Sequence, residues 1–390
     1  MLSCMRCSRQ FGDRAIVWRC PCGGTLRLSG YGAAPFEGRG IWRYLRGLPL
    51  DASRIVSMGE GDTPLIERRV GGRAAWFKLD YLAPTGSYKD RGMSVLVSWL
   101  RSAGVAHVVE DSSGNAGSSM AAYCAAGGIA CDVYVPDYTS SGKCVQIGAY
   151  GARLVRVPGT REDTTRAAER AGQEKTSFYA SHNWSPWFLH GVKTWFLEVF
   201  DALPEVRNVV VPVGQGSIAL GARLAMEDLR AAGRLERLPR ILAVQPAHCD
   251  PLARAFEAGL DEPVRIEKKE TAAEGIASAE PVRGAEVLRA VRETGGGFVA
   301  VSEAEIWSAH SVLCRAGLYV EPTSAAAAAQ PPVGTAATVT TVVRPGQSLW
   351  EIAAASGTSD VPAMVARIVS LNGLQSAAVH SGQTLEVPVG

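Results

Sequence analysis

Short β-branched runs alternate with alanine-rich stretches between about residues 40 and 325. The runs lie in AHVVEDSSGN, CDVYVPD, RLVRVPG, RNVVVPVGQGS, RILAVQPA and GFVAVSEAEI, and turns containing glycine or proline follow them. We interpret each run as a strand and the alanine-rich stretches as helices. Strands that alternate with helices in this way are typical of an α/β fold with a mostly parallel sheet.

A second pattern begins after AAAAAQPPVGTAATVTT, which we interpret as a helix end followed by a linker rich in proline, glycine and threonine. Residues 338–388 predict the order strand, helix, helix, strand. Ser348 precedes LWEIAAA as an N-cap, and Leu349, Ile352 and Ala353 share one face of that helix. The C-terminal segment is therefore expected to be a small unit of its own.

The composition limits the classes of partner. The chain has 390 residues, of which 47% are hydrophobic, so it can bury a large core and form more than one domain. A formal net charge of +2 gives no broad basic field, which argues against nucleic acid or an anionic membrane surface as a partner. The segment MLSCMRCSRQFGDR lacks the apolar region of a signal peptide, and no segment has the roughly 18 apolar residues of a membrane span. We therefore expect a cytoplasmic protein with reduced cysteines.

Four of the nine cysteines lie near the N-terminus in two close pairs. Cys4 and Cys7 form a Cys-x-x-Cys knuckle, and RCPCGG supplies Cys20 and Cys22. Four thiolates in two pairs on short turns suit tetrahedral coordination of a structural zinc ion. The alternative is a reduced segment without metal.

Lys89 lies in APTGSYKDRG, residues 83–92, after a Pro-Thr-Gly turn. By itself this stretch is typical of a solvated lysine at the start of a helix. Three other turns change the interpretation: DSSGNAGSS (111–119), PVGQGSIALG (212–221) and VEPTSAAAAA (320–329), each between a predicted strand and a helix. The first two expose backbone N–H groups at helix starts, where anions bind. Pyridoxal phosphate requires such a phosphate cradle, together with an amine, an amide and a partner for its ring nitrogen.

GEGDTPL, APTGSYKDRG, SSGNAGSS, PVGQGS, AEGIA and EPTSAA together resemble the threonine synthase branch of the fold-type II pyridoxal-phosphate enzymes, over roughly residues 1–327. The resemblance implies two subdomains with twisted parallel sheets and helices on both faces, preceded by a zinc ribbon. It also implies a homodimer that acts on a small amino acid, converting O-phospho-L-homoserine and water to L-threonine and phosphate.

Carried over by position, the resemblance implies that Lys89 holds the cofactor through its amine and acts in catalysis. Asn115 would bind the ring oxygen, and Ser324 would face the ring nitrogen. The phosphate cradle would consist of Gly214, Gln215, Gly216 and Ser217. The substrate would be bound by Ser112, Ser113 and Lys143.

The segment NWSPWFLHGVKT departs from the family pattern. Phe188 stands where the family has an arginine for the substrate phosphate, and a benzyl group cannot neutralise that dianion. Trp184, Trp187, Phe188 and Trp195 then either pack in the interior or line a more apolar pocket. The second alternative predicts β-elimination or β-replacement on serine, threonine or phosphoserine, as in an ammonia-lyase or a cysteate-synthase-like enzyme.

The C-terminal blocks PGQSLWEIA, LNGL and SGQTLEVP resemble a LysM module, which implies binding of N-acetylglucosamine glycans. We predict a zinc ribbon over 1–30, a catalytic domain over 31–331, a linker over 332–337 and a βααβ LysM domain over 338–390. The family continues past its Ser-Ala-Ala helix into a final strand that is missing here. Either the catalytic domain has lost this strand or AATVTTVV serves both domains, and a lost strand would open the sheet near Ser324 and imply a poorly active or inactive enzyme.

Overall fold

The structure is a computed structural model that describes residues 1–12, 15–32, 38–50, 52–70, 72–173, 177–329, 338–358, 361–372, 374 and 376–388. The chain divides into two compact units, Met1–Gln330 and Pro331–Gly390. The predicted linker, 332–337, lies outside the described residues. No helix in the described part of the chain is both long enough and apolar enough to span a membrane.

The N-terminal segment forms a small antiparallel sheet of three strands in the order β2-β1-β3. The strands are β1 (Leu2–Cys4), β2 (Gln10–Phe11) and β3 (Leu26–Leu28). Short 3-10 helices at Gly40–Gly47, Ala52–Arg54 and Asp80–Leu82 and an antiparallel hairpin follow. The hairpin strands are β4 (Leu65–Val70) and β5 (Arg73–Lys78).

The first parallel sheet has the order β8-β7-β6-β9. Its strands are β6 (His107–Glu110), β7 (Ala130–Pro136), β8 (Arg153–Val157) and β9 (Phe178–Tyr179). The helices of this region are α1 (Lys89–Ser102), α2 (Asn115–Gly127), α3 (Ser141–Ala149), α4 (Arg161–Ala171), α5 (Pro186–Val192) and α6 (Thr194–Ala202).

The second parallel sheet has the order β10-β11-β12. Its strands are β10 (Asn208–Pro212), β11 (Arg240–Pro246) and β12 (Gly297–Val301). The helices here are α7 (Ser217–Ala231), α8 (Pro251–Glu257), α9 (Gly284–Glu293), α10 (Glu303–Arg315) and α11 (Pro322–Ala328), with a 3-10 turn at Glu274–Ile276. All six strands predicted from the apolar runs are present, so the α/β prediction is confirmed.

Helix α1 is buried along most of its length, although it contains an arginine. Arg91 is 0% exposed. Its guanidinium binds the carboxylates of Asp80 (2.8 Å) and Glu198 (2.7 Å) and the hydroxyl of Thr63 (3.0 Å). A buried guanidinium is tolerated only with such partners, and the network ties α1 to α6 and to the chain before β4.

The second unit pairs β13 (Thr338–Val342) with β14 (Thr384–Pro388) in an antiparallel arrangement around α12 (Leu349–Ala355) and α13 (Val361–Leu371). Ser348 caps α12 as predicted, in a reciprocal capping box with Glu351. Asn372 binds the backbone N–H and carbonyl of Glu386, each at 2.8 Å, and so joins the end of α13 to β14. Among the described strands, β13 pairs with β14.

Candidate active site

The loop before α1 is held in place by a buried carboxylate. Asp90, which is 0% exposed, accepts hydrogen bonds from the backbone N–H (2.7 Å) and the hydroxyl (2.6 Å) of Thr85. It also accepts one from the hydroxyl of Ser119 on α2 (2.6 Å). Burial raises the pKa of the Asp90 carboxyl, while these hydrogen bonds oppose that rise. Gly86, at φ 88°, provides the left-handed turn of this loop, so Lys89 begins α1 at a fixed position.

Lys89 is half-buried, and its amine is linked through Tyr88 to the start of α7. Its Nζ donates to the hydroxyl of Tyr88 at 2.6 Å, and that hydroxyl lies 2.9 Å from Oγ of Ser217. Lys89 and Ser217 were predicted from the sequence, but Tyr88 was not. The phenol next to the lysine was visible in the sequence, but nothing in the sequence indicated where its hydroxyl points.

The turn at residues 214–217 has the properties of an anion cradle. Gly214, Gly216 and Ser217 are buried, and Gly216 adopts φ 85° as the N-cap of α7. Among the described residues, none accepts a hydrogen bond from the backbone N–H groups of residues 214–217. Unpaired N–H groups in buried residues at the start of a 15-residue helix require an anion or water.

The side chain of Gln215 has a different role from its backbone. Its Nε2 donates to the hydroxyl of Ser278 at 2.6 Å, and its Oε1 accepts from the backbone N–H of Val282 at 2.8 Å. A Cβ on Gly214 would overlap the backbone of Ile276. Gln215 therefore fixes the 276–282 segment against the cradle, and its backbone is the part that faces an anion.

The turn after β6 is anchored from below by Asp111, which is 3% exposed. Asp111 accepts from the guanidinium of Arg161 (2.9 Å) and the hydroxyls of Thr165 (2.8 Å) and Tyr179 (3.0 Å). Ser112 and Ser113 follow it and are half-buried. A Cβ on Gly117 would collide with the Ser112 carbonyl, so glycine lets the turn close onto α2.

Asn115, the first residue of α2, contacts the start of α11. Its Nδ2 donates to a carboxylate oxygen of Glu321 at 3.1 Å, and Glu321 is the N-cap of α11. Thr323, in the same helix, accepts from the backbone N–H of Gly275 at 3.0 Å. Ser324 lies next to it and is exposed. Glu321 was missed in the sequence analysis, although it stands in the quoted EPTSAA block.

These contacts form a closed circuit through the four predicted blocks. Lys89 reaches Ser217 through Tyr88, and Asp90 joins Thr85 to α2. Asn115 at the start of α2 meets α11, α11 meets Gly275, and Ile276 packs on Gly214. The contacts thus link the segments that carry an amine, an amide and an anion cradle, and this donor set fits pyridoxal phosphate.

The aromatic residues around α5 pack in the interior. Phe188 is 0% exposed, and a Cβ on Gly92 of α1 would overlap its ring. Trp187 stacks on Trp99 at a centroid distance of 3.6 Å. Trp195 is 8% exposed, and its indole N–H donates to the carbonyl of Ile218. Packing is therefore the interpretation that the geometry supports, and the side chain of Lys143 lies outside the described side chains.

His190 and Lys193, which follow Phe188 in the chain, are buried rather than free to bind a phosphate. Burial and the nearby charge of Lys193 hold the pKa of His190 well below 6.5. Burial lowers the pKa of Lys193 as well, and the carboxylate of Asp228 at 2.6 Å opposes that effect. Neither side chain supplies the positive charge that the arginine of the family pattern would provide.

The four N-terminal cysteines come together as a metal site would require. Their Sγ atoms all lie within 4.8 Å of one another, with Cys4 to Cys22 at 3.5 Å and Cys7 to Cys20 at 3.6 Å. Zinc–sulfur bonds of about 2.3 Å in a tetrahedron separate the sulfurs by about 3.8 Å. The cluster therefore fits a structural zinc ion.

The thiols differ in their tendency to ionise. Burial opposes ionisation of Cys4, but backbone N–H groups of Cys7 and Arg6 bring its pKa down to about 6. The backbone of Cys22 favours ionisation of Cys20, but burial and the three other thiols raise its pKa to about 12. Full deprotonation of the cluster therefore requires a cation at its centre.

Comparisons with known proteins agree with this geometry. The profile of the family described as pyridoxal-phosphate dependent enzyme matches residues 56–337, and that of the LysM domain matches residues 341–388. Threonine synthase of Methanocaldococcus jannaschii is 32% identical over 349 residues, which cover 84% of this chain and 85% of the relative. Threonine synthase of Mycobacterium leprae is 33% identical over 281 residues, which cover 70% of this chain and 76% of the relative.

Among solved structures, maize serine racemase superposes with a TM-score of 0.61 at 23% identity, over 70% of this chain and 83% of that one, which shows a shared fold. The chain therefore belongs to the fold-type II family of pyridoxal-phosphate-dependent enzymes, in the branch of the threonine synthases, and carries a LysM domain after its catalytic unit.

Proposed function

We propose that the chain is a lyase of the threonine synthase type, which converts O-phospho-L-homoserine and water to L-threonine and phosphate. The observation that carries this proposal is the circuit of contacts that joins the Lys89 amine to the Ser217 turn and Asn115 to α11. The 32% identity to a threonine synthase over most of both chains supports the same choice of substrate.

Each predicted residue has a task in this proposal. Lys89 would hold the cofactor, and the unpaired N–H groups of residues 214–217 would bind its phosphate. Asn115 would donate to the ring oxygen, because only one of its two amide N–H bonds is directed at Glu321. Ser324 would meet the ring nitrogen with a neutral hydroxyl.

Pyridoxal phosphate, when bound, supplies an electron sink for the substrate α-carbon. The Nζ atom of Lys89 would then act as the base that removes and returns protons at the substrate carbons. Ser112 and Ser113 would hold the substrate carboxylate beside the start of α2, and Lys143 would meet its phosphate.

A second candidate function is favoured by one specific observation. Phe188 is fully buried at the position where the family pattern has an arginine, so α5 presents no guanidinium to a substrate phosphate. A site without that guanidinium suits an uncharged side chain, such as that of serine or threonine, and a β-elimination or β-replacement reaction. Phosphoserine, the third substrate of this alternative, would need its phosphate charge neutralised by other residues.

Three measurements test the proposal. Purified protein should be yellow, and borohydride should fix the cofactor on the peptide that contains Lys89. O-phospho-L-homoserine should then yield threonine and free phosphate in equal amounts. Pyruvate or a replacement product from serine or phosphoserine, with no turnover of O-phospho-L-homoserine, would establish the second candidate instead. Colourless protein that takes up no cofactor would mean an inactive relic.

The small modules have functions of their own in this proposal. The cysteine cluster would bind one structural zinc ion per chain, which elemental analysis can count. The LysM domain would bind N-acetylglucosamine glycans, and full-length protein should then be retained by peptidoglycan or chitin. Loss of retention in a chain that ends before residue 338 would assign that binding to the LysM domain.

A further inference from the structure

The hydroxyl of Tyr88 lies between the Lys89 amine at the start of α1 and the Ser217 hydroxyl at the start of α7. We propose that Tyr88 is a positioning residue that links the Lys89 amine and the Ser217 hydroxyl in one directional chain of hydrogen bonds. This inference rests on the proposed function, because it assumes that Lys89 carries the cofactor and that Ser217 lies in the phosphate cradle.

The direction of the chain follows from the count of donors. Nζ of Lys89 donates to the Tyr88 hydroxyl at 2.6 Å. The single proton of that hydroxyl is then free to point to Ser217 Oγ, 2.9 Å away. No other described residue bonds to Ser217 Oγ, so the Ser217 proton remains available for an anion in the cradle. Donors and acceptors aligned in this way strengthen one another.

Packing against the core, and not its hydroxyl, holds the ring of Tyr88 in place. Tyr88 is the N-cap of α1, makes no capping bond with its side chain and packs against the main core. Nζ of Lys89 lies 3.9 Å from the ring centroid, so the amine also rests on the ring of its neighbour. Phenylalanine at this position would keep the packing and lose both hydrogen bonds.

Loss of the hydroxyl should therefore have two separate effects. The Lys89 amine would lose its described hydrogen-bond acceptor and sample positions away from the cradle. Ser217 would lose the partner that orients its own proton toward the bound anion. A residue that only packed would cause neither effect when its hydroxyl alone is removed.

The test uses full-length protein freed of cofactor and the variants Tyr88→Phe, Ser217→Ala and the double variant. Tyr44→Phe is the matched control, because Tyr44 is a buried tyrosine whose hydroxyl donates to Asp201 at 2.8 Å. Covalent uptake of pyridoxal phosphate is followed by visible absorbance. Binding of pyridoxine phosphate, which has no aldehyde and cannot react with Lys89, is measured by calorimetry.

We expect Tyr88→Phe to slow covalent uptake about tenfold and to weaken pyridoxine phosphate binding about fivefold, the scale of one ordinary hydrogen bond. Tyr44→Phe should match the wild type in both measurements. In the Ser217→Ala background, Tyr88→Phe should change pyridoxine phosphate binding less than twofold, because the chain is already broken.

Equal behaviour of Tyr88→Phe and Tyr44→Phe, or an undiminished effect of Tyr88→Phe in the Ser217→Ala background, would overturn the role of Tyr88. The proposed function would survive loss of the Tyr88 role, provided that wild-type protein loads the cofactor on Lys89. If the wild type takes up no cofactor, or borohydride fixes it on another lysine, the proposed function and this inference both fall.

Discussion

Arg283, the N-cap of α9, connects the cysteine ribbon to the rest of the first unit. All five of its N–H groups are used: Nε binds the carbonyl of Asn183, Nη2 binds those of Leu26 and Trp184, and Nη1 binds both carboxylate oxygens of Glu286. Arg283 is 3% exposed. Leu26 belongs to strand β3 of the ribbon, so one guanidinium joins three separate segments.

We predict that Arg283→Met lowers the free energy of unfolding by about 4 kcal/mol. The change removes a buried guanidinium, leaves three carbonyls without their donor and takes away the ion-pair partner of Glu286, and broken buried ion pairs cost about 3–5 kcal/mol. Arg283→Lys should lie between this variant and the wild type, because an ammonium has three donors and no planar fork. The measurement is urea denaturation followed by tryptophan fluorescence.

The same substitution should weaken both the metal site and the cofactor site. Val282, next to Arg283, donates to the Gln215 side chain that holds the phosphate cradle. We therefore expect faster zinc loss to a chromophoric chelator and a weaker affinity for pyridoxal phosphate. Arg289→Met is the control, since Arg289 lies on α9, which Arg283 precedes as N-cap, is exposed and has no partner among the described residues.

The control should change the unfolding free energy by less than about 0.5 kcal/mol, as is usual for surface residues. If Arg283→Met and Arg289→Met differ by less than about 1 kcal/mol, Arg283 does not join the three segments energetically. If they differ in stability but not in zinc retention, the ribbon is held by its other contacts, such as the hydrogen bond from Thr25 to Glu286.

Four further predictions concern other parts of the chain. Gly92→Ala should lower the unfolding free energy by about 1–3 kcal/mol, because its Cβ would overlap the Phe188 ring; an unchanged urea midpoint would contradict the tight helix contact. Burial keeps the pKa of His190 well below 6.5, so below that pH the unfolded chain gains a proton that the folded chain lacks. Stability should therefore fall by up to about 1.4 kcal/mol per pH unit as the pH drops below 6.5, and His190→Gln should reduce this slope; equal slopes would refute it. Cys7→Ser should reduce bound zinc well below one ion per chain, and full occupancy in this variant would exclude the four-thiolate site. Trp350, an exposed aromatic on α12, should contact the glycan, so Trp350→Ala should lose retention on peptidoglycan at an unchanged melting temperature; full retention would place the contact elsewhere.

The strands and turns were predictable because each depends on local composition. The six apolar runs became β6, β7, β8, β10, β11 and β12, and the turns with glycine follow β6 and β10 as expected. Strand β9 was not predicted, since two residues are too short for a periodic signal. The β4–β5 hairpin was also not predicted, although the glycine pair between its arms is a known hairpin signal.

The departure at Phe188 shows where sequence reasoning stops. A phenylalanine in place of an arginine was visible in the sequence, and so were the two alternatives of a packed interior and an apolar pocket. The choice between these two alternatives depended on Gly92 of α1, which leaves room for the Phe188 ring. That neighbour lies 96 positions away in the chain, and no periodicity records the contact.

The sequence by itself determined the class of chemistry, because an amine, anion-binding turns and paired thiols are recognisable from residue type and spacing. Lys89, the 214–217 turn and the four cysteines could be named as candidates from the sequence alone. Only the tertiary structure decided which side chains act together. Tyr88, Glu321 and Arg283 acquire their roles from partners on distant segments, and the directions of hydrogen bonds between such segments are set by packing rather than by local sequence.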